Sequence, residues 1–369
     1  MTRWQEPAPG EREAGERSLD VVRSAFEERI PVPRRRDWRP FVAVAVGAAI
    51  LAAAFTPPGH AVWSSLRDAV SDEDNLLSLP SRGRVLVNAP AGAWVVNRDG
   101  SKRFLSGYTD AAWSPHGLFI AAARGNQLVA LEPNGKVRWK LARAHPIGSP
   151  RWSYEGYRIA YLAGRALHVV NGDSTGGRRL SPNVVGVGLP AFAWRPGTHE
   201  LAYRNARDQL VLVDADRRRV LWRRQTNGIK QLSWSHDGQR LLVAGRPPQV
   251  LDARGRVVAT FPNESLLPAA FAPKSRALAV VTSTNRRSTV AVYSGPHYER
   301  RRTVFSGAGT FAGLAWSPDR RWLLVDWRSA DQWIFIRSAA VRRIAVRNIG
   351  NTFDSGPEHY ATLAGWCCP

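Results

Sequence analysis

Apolar and polar positions alternate in a pattern that repeats along most of the chain. A small or apolar pair leads into an aromatic residue, then a turn rich in Ser, Pro and Gly, then a second apolar run. The unit reads AAWSPHGLFIAAA around Trp113, PRWSYEGYRIAYL around Trp152 and FAWRPGTHELAYR around Trp194. It continues as LSWSHDGQRLLVA around Trp234, AAFAPKSRALAVV around Phe271 and LAWSPDRRWLLVD around Trp316. Short apolar runs bounded by such turn residues read as β-strands. Phe119-Ile120-Ala121 and Arg158-Ile159-Ala160-Tyr161 follow the turn as second strands, and Leu128–Leu131 and Leu210–Asp214 read as third strands. A Pro-Asn-Gly or Asp-Ala-Asp turn then leads to a fourth, outer strand. Within the Ser-Pro-x-Gly turn, Pro presets φ and Gly accepts the positive φ of a tight reversal.

Successive aromatic positions lie 39, 42, 40, 37 and 45 residues apart, the length of a four-stranded propeller blade. The two ends set the blade number. RVLVNAPAGAWVVNRDGSKRFLS, before Trp113, matches the second, third and fourth strands of a unit and lacks the first. ATLAGWCCP, residues 361–369, matches the start of a unit, with Trp366 as the seventh aromatic position. The fold predicted is therefore all-β: a seven-bladed β-propeller over residues 84–369, sealed by a C-terminal strand that completes the first sheet.

Trp-Ser-Pro-Asp/His-Gly, the Ile-Ala-Tyr strand and Val-Val-Asn-Arg-Asp-Gly at 95–100 together resemble the TolB-type propellers, a WD-repeat-like family. The resemblance covers roughly residues 84–369 and implies a fold more than a function, because that family spans periplasmic scaffolds, sensor ectodomains and substrate-gating domains of peptidases. A peptidase of that lineage would carry a further hydrolase domain with Gly-x-Ser-x-Gly, and the chain ends first. The full Asp-Gly turn is intact only after Trp234, so turn carboxylates do not suggest metal binding. LVALEPNGKVRWKL (128–141) and LVLVDADRRRVLWRR (210–224) resemble the tryptophan-docking repeats of quinoprotein propellers. The calcium and quinone pocket of those enzymes has no counterpart in the sequence, and no cofactor is expected.

The N-terminal region has a different pattern. Residues 41–55, FVAVAVGAAILAAAF, form an uncharged apolar run preceded by Arg34, Arg35, Arg36 and Arg39. Trp38 and Trp63 flank it as aromatic anchors. This predicts one transmembrane helix at 39–58, preceded by a cytoplasmic arm at 1–38 and followed by a stalk at 59–83. The one-sided Arg cluster places the N-terminus inside the bacterial cytoplasmic membrane and the propeller outside. The alternative is a cleaved export signal, because Arg35-Arg36-Asp37-Trp38 resembles a twin-arginine motif and Ala52-Ala53-Ala54 offers small residues for cleavage. In the arm, Ser18 reads as an N-cap, and Leu19, Val22, Phe26 and Ile30 form an apolar stripe suited to a cytoplasmic partner.

Charge adds a possible ligand class. Residues 81–369 carry 42 basic and 18 acidic side chains, a net +24 within a chain total of +22, and only 5 of the chain's 52 basic residues are Lys. Such a field favours anions: nucleic acid, lipid headgroups or an envelope polymer. The loops between second and third strands carry Arg124, Arg165, Arg204, Arg207, Arg246, Arg286, Arg287 and Arg328, which suggests a basic ring at the channel mouth for an anionic ligand. The 8 His are scattered singly, with no metal-binding pair, nucleophile elbow or phosphate loop. Cys367 and Cys368 are expected as free thiols, a vicinal disulfide being the alternative.

The reading that results is a non-catalytic binding or scaffold protein of the cell envelope, with a protein or an anionic polymer as partner. The topology sets the basic domain away from genomic DNA. A transmembrane signalling protein, whose arm holds a cytoplasmic regulator such as a sigma factor, is the alternative. A quinoprotein-like enzyme is a second alternative, without a catalytic motif to support it.

Overall fold

The computed structural model describes residues 78–184, 192–261, 267–284, 286–338, 342–355 and 360–368. The arm expected at 1–38, the transmembrane helix expected at 39–58 and residues 59–77 of the expected stalk lie outside the described residues, and with them Leu19, Val22, Phe26 and Ile30.

Seven antiparallel sheets of four strands each make up the domain. Blade 2 runs outward through Thr109–Trp113, Ile120–Arg124, Gln127–Leu131 and Val137–Ala142. Blade 3 has Ile147–Trp152, Arg158–Ala163, Ala166–Asn171 and Arg178–Ser181. Blade 4 has Phe192–Trp194, Glu200–Arg204, Gln209–Asp214 and Arg219–Gln225. Blade 5 has Gln231–Trp234, Arg240–Ala244, Gln249–Asp252 and Val257–Thr260. Blade 6 has Ala269–Phe271, Leu278–Thr284, Arg287–Ser294 and Arg300–Ala308. Blade 7 has Gly313–Trp316, Trp322–Trp327, Gln332–Arg337 and Arg343–Arg347. In blade 1, Arg84–Ala89, Gly92–Val96 and Lys102–Ser106 are preceded on the inside by Thr362–Cys367, from the far end of the chain.

The predicted closure is therefore present. Arg84 pairs with Cys367, Val85 with Trp366 and Leu86 with Gly365; after a bulge, Val87 pairs with Leu363 and Asn88 with Thr362. Trp366 packs edge-on against Phe335 of blade 7 at 5.6 Å, and its indole N–H donates to Arg82 O at 3.1 Å. The core under this seam joins Val85, Val87, Leu324, Trp333, Phe335 and Phe353.

Burial explains the strand patterns. Second and third strands are covered on both faces by neighbouring blades, so Ile120–Ala123 and Leu128–Leu131 read as unbroken apolar runs. Outer strands meet solvent, and Val137–Ala142 and Arg343–Arg347 alternate partly buried and exposed residues along most of their length.

Side chains also bridge blades. Asn88 of blade 1 bonds both the N–H and the C=O of Ala111 in blade 2, and Gln231 of blade 5 does the same to Ala269 in blade 6. The two segments that resemble docking repeats act as such. The indole N–H of Trp139 in blade 2 donates to Gly172 O in blade 3, and that of Trp222 in blade 4 to Ala253 O in blade 5. Gly255 lies on the Trp222 ring, where an added Cβ would come within 3.2 Å.

A candidate binding funnel and an opposing basic face

The residue after the innermost aromatic builds the rim of the channel. Ser114, Ser153, Ser235 and Ser317 are buried, and each Oγ accepts the N–H five residues on, at 2.9–3.0 Å. Each Ser carbonyl also accepts the N–H three residues on, from Gly117, Gly156, Gly238 and Arg320. The Ser therefore ties the turn to the start of the second strand. Gly117, Gly156 and Gly238 have positive φ, the conformation such a reversal requires. Blade 4 departs from this, with Arg195 in place of Ser and Thr198 Oγ1 bonded to Arg195 O.

These turns and the aromatic ends of the inner strands enclose a cavity of about 850 Å³ at one end of the channel. Its wall includes Trp113, Trp152, Trp194, Trp234, Phe271 and Trp366, with Pro115, Pro196, Pro273 and Pro318 at the rim. Of these rings, Trp194 donates to Arg151 O and Trp366 to Arg82 O, and Trp316 beside them donates to Ala270 O, whereas the buried indole N–H groups of Trp113, Trp152 and Trp234 have no hydrogen-bond partner among the described residues.

The cavity has polar groups as well. Arg151, in the wall, donates to Pro150 O at 2.7 Å and lies 4.0 Å from Asp110. Burial pulls its pKa below the usual guanidinium value, and the Asp110 charge opposes that shift. Tyr154 Oη lies 2.8 Å from His236 Nε2, linking the turns of blades 3 and 5, and burial raises the Tyr154 pKa with Glu155 adding to the effect. Arg82, Lys274 and Asp319 complete the charged rim. The arrangement can stack on flat or apolar groups and attract an anion at its edge.

Cys367 and Cys368 also line this cavity, and the structure sets their sulfurs against each other, the vicinal pairing named as the alternative to free thiols. The closing strand delivers both to the rim against blade 2, where a Cβ on Gly117 would come within 2.9 Å of Cys368 Cβ. Neighbouring residues at a strand end share this confined site, a proximity that cysteine spacing alone leaves open.

The Arg-bearing loops are elsewhere. They join second to third strands, so they lie at the other end of the sheets from the Ser turns and one strand removed from the channel. Arg124, Arg165, Arg207, Arg246, Arg286, Arg287 and Arg328 are exposed. Arg204 is engaged in the fold, donating to Asp208 at 2.5 Å and to Ile229 O at 3.0 Å. Arg124 lies over Tyr108 and Arg328 over Tyr360, each at 5.5 Å. Beside Arg328, Asp326 is 1 % exposed and neither of its carboxylate oxygens has a hydrogen-bond partner. Burial pushes its pKa up to about 7, with Asp331 adding and Arg328 opposing.

Among the described residues, no three His, Cys, Asp or Glu side chains gather as a metal site. The funnel was not anticipated from sequence, where its aromatic residues read as packing between blades. The signal was there: an aromatic residue recurs at one end of every inner strand, followed two residues on by Pro in blades 2, 4, 6 and 7, and a ring closure turns that end into a rim.

Comparison with solved structures bears on the fold. Over 73 % of the chain, the model resembles a chain of the mitotic checkpoint complex (TM-score 0.55, 16 % identity, 98 % of that chain covered). The fold is a seven-bladed β-propeller with WD40-like structural neighbours. The propeller domain of Cps50 (Swd1) from Myceliophteria thermophila is similar at a TM-score of 0.50 and 15 % identity, with 70 % of this chain and 89 % of that one covered. Hydrazine synthase from Kuenenia stuttgartiensis is similar at a TM-score of 0.50 and 14 % identity, with 70 % and 85 % covered. No family model matches the chain, and no curated protein matches it.

Proposed function

We propose that this chain is a non-catalytic binding or scaffold protein that receives a protein partner at the aromatic funnel. The observation that carries this reading is the funnel itself. Six aromatic side chains and four prolines, supplied by separate blades, converge on one open cavity whose shape the closed ring holds fixed. Aromatic and proline side chains have few rotatable bonds and lose little entropy when a partner docks. The WD40-like neighbours support a role in binding, since propellers of that kind recur as components of complexes.

The apolar run at 41–55 with its one-sided Arg cluster supports a membrane anchor, with the propeller outside the bacterial cytoplasmic membrane. Alkaline extraction followed by protease treatment of sealed vesicles tests that placement. Retention in the membrane with the propeller protected inside inverted vesicles is expected, and release by alkali contradicts the anchor.

The funnel is tested by site-specific photo-cross-linking in the native host. A cross-linker replacing His116 or Lys274, both on the rim, is expected to give one discrete protein adduct. The same cross-linker at Arg103, on the outer strand of blade 1, is expected to give none. Absence of adducts from both rim positions, or the same adducts from all three, contradicts the reading.

A further inference from the structure

Charge is distributed unevenly between the two ends of the propeller. At the Ser-turn end, carboxylates neutralise many of the guanidinium groups: Glu132 pairs with Arg138, Glu200 with Arg195, Asp252 with Arg256, Asp237 with Arg276 and Asp319 with Arg321. Asp216 alone draws in Arg158, Arg178 and His199. The loops at the other end differ. The described carboxylates of the loops that join second to third strands are Asp208, already bonded to Arg204, and Asp331, which accepts from Gly350 N and Tyr360 Oη, and the connection from blade 7 to the closing strand adds the exposed Asp354. Arg124, Arg165, Arg207, Arg246, Arg286, Arg287 and Arg328 are exposed there, and among the described residues none of them forms an ion pair.

We propose that this end of the propeller is a second docking surface, separate from the funnel, which binds a linear phosphate-bearing polyanion. Three features select that ligand class. The guanidinium groups are distributed over six blades rather than converging on one point, which suits a series of anions along a polymer better than a single small anion. They are all Arg, whose planar fork meets phosphate oxygens through paired N–H bonds. Two of the rings beside them, Tyr108 and Tyr360, are each covered by a guanidinium, which leaves few aromatic faces for unpaired bases to stack on. The surface therefore reads backbone charge.

The test uses the full-length chain in non-ionic detergent with long-chain inorganic polyphosphate as the probe. Arg165→Glu, Arg246→Glu and Arg286→Glu together are expected to weaken binding at least ~10-fold and to flatten its salt dependence. Arg217→Glu, Arg254→Glu and Arg300→Glu make the same change in net charge at the Ser-turn end, and together are expected to change binding less than ~2-fold. A matching set of Arg→Gln variants at 165, 246 and 286, checked by thermal unfolding, guards against loss of fold. Equal weakening by both Glu sets assigns binding to the overall charge of +22 and overturns the proposal. So does failure to bind polyphosphate. Stronger displacement by phosphatidylglycerol mixed micelles, polyglutamate or a single-stranded oligonucleotide at equal charge would replace the proposed ligand with a lipid surface, a carboxylate polymer or nucleic acid.

Discussion

Ser235 sits in the interior with its Oγ shared between two partners, donating to Asp237 and accepting from the N–H of Arg240. Removing that oxygen leaves both groups without their bond, so Ser235→Ala is expected to cost about 1–2 kcal/mol by urea denaturation. This residue was legible in the sequence, because Ser after the aromatic recurs in four blades and the turn chemistry explains it. Asp326 was not legible. It falls in the run LLVD, where an acidic residue looks like a strand end reaching solvent, and only the packing of Gly313 and Leu363 around that position encloses it. Its raised pKa has a definite consequence for stability. A carboxyl that is harder to ionise when folded contributes stability that is complete below the unfolded value near 4 and is lost as pH rises through about 7. At roughly 1.4 kcal/mol per unit, the loss is on the order of 4 kcal/mol. Asp326→Asn is expected to remove that slope, so the gap between variant and wild type should shift in the variant's favour from pH 5 to pH 8. Parallel stability curves for the two proteins over that window contradict the assignment. Asp208, Asp216, Asp237, Asp252 and Asp319 have lowered pKa values through bonds to N–H, hydroxyl or guanidinium groups, and they oppose Asp326 only at more acidic pH.

At the level of elements, the strands were readable because each type meets a distinct environment. Doubly covered strands give apolar runs, outer strands give alternation, and Ser-Pro-Gly turns mark the boundaries. The bulge between Leu86 and Val87 and the short helix Ile349–Thr352 were not readable, since both arise from how the last strand is steered into the first sheet. The docking indoles were read only as a resemblance, and the structure supplies their mechanism. Trp222 joins the outer strand of blade 4 to the Asp252–Gly255 turn of blade 5. Trp222→Phe keeps most of the ring and loses the N–H, so it is expected to cost about 1 kcal/mol, whereas Trp222→Ala also opens a void and is expected to cost about 3–5 kcal/mol. A Trp222→Phe variant as stable as the wild type contradicts a role for the bond to Ala253.

For the whole molecule, what the sequence could convey was limited by what ring closure creates. The blade count followed from repeat spacing and the two incomplete ends, whereas the funnel and the segregation of charge exist only after seven units are arranged in a circle. A +22 chain gives no hint that its acidic partners gather mainly at one end. The account depends on the junction between Thr362–Cys367 and Arg84–Ala89, which leaves no inner edge open and holds blades 1 and 7 together. Thermal unfolding of a chain truncated after Tyr360 tests it most directly. The intact chain should melt in one cooperative step, and the truncated chain should melt many degrees lower or lose cooperativity, as expected when a buried Trp and a full strand are removed. A truncated chain with the same midpoint and the same cooperativity would contradict the closed ring.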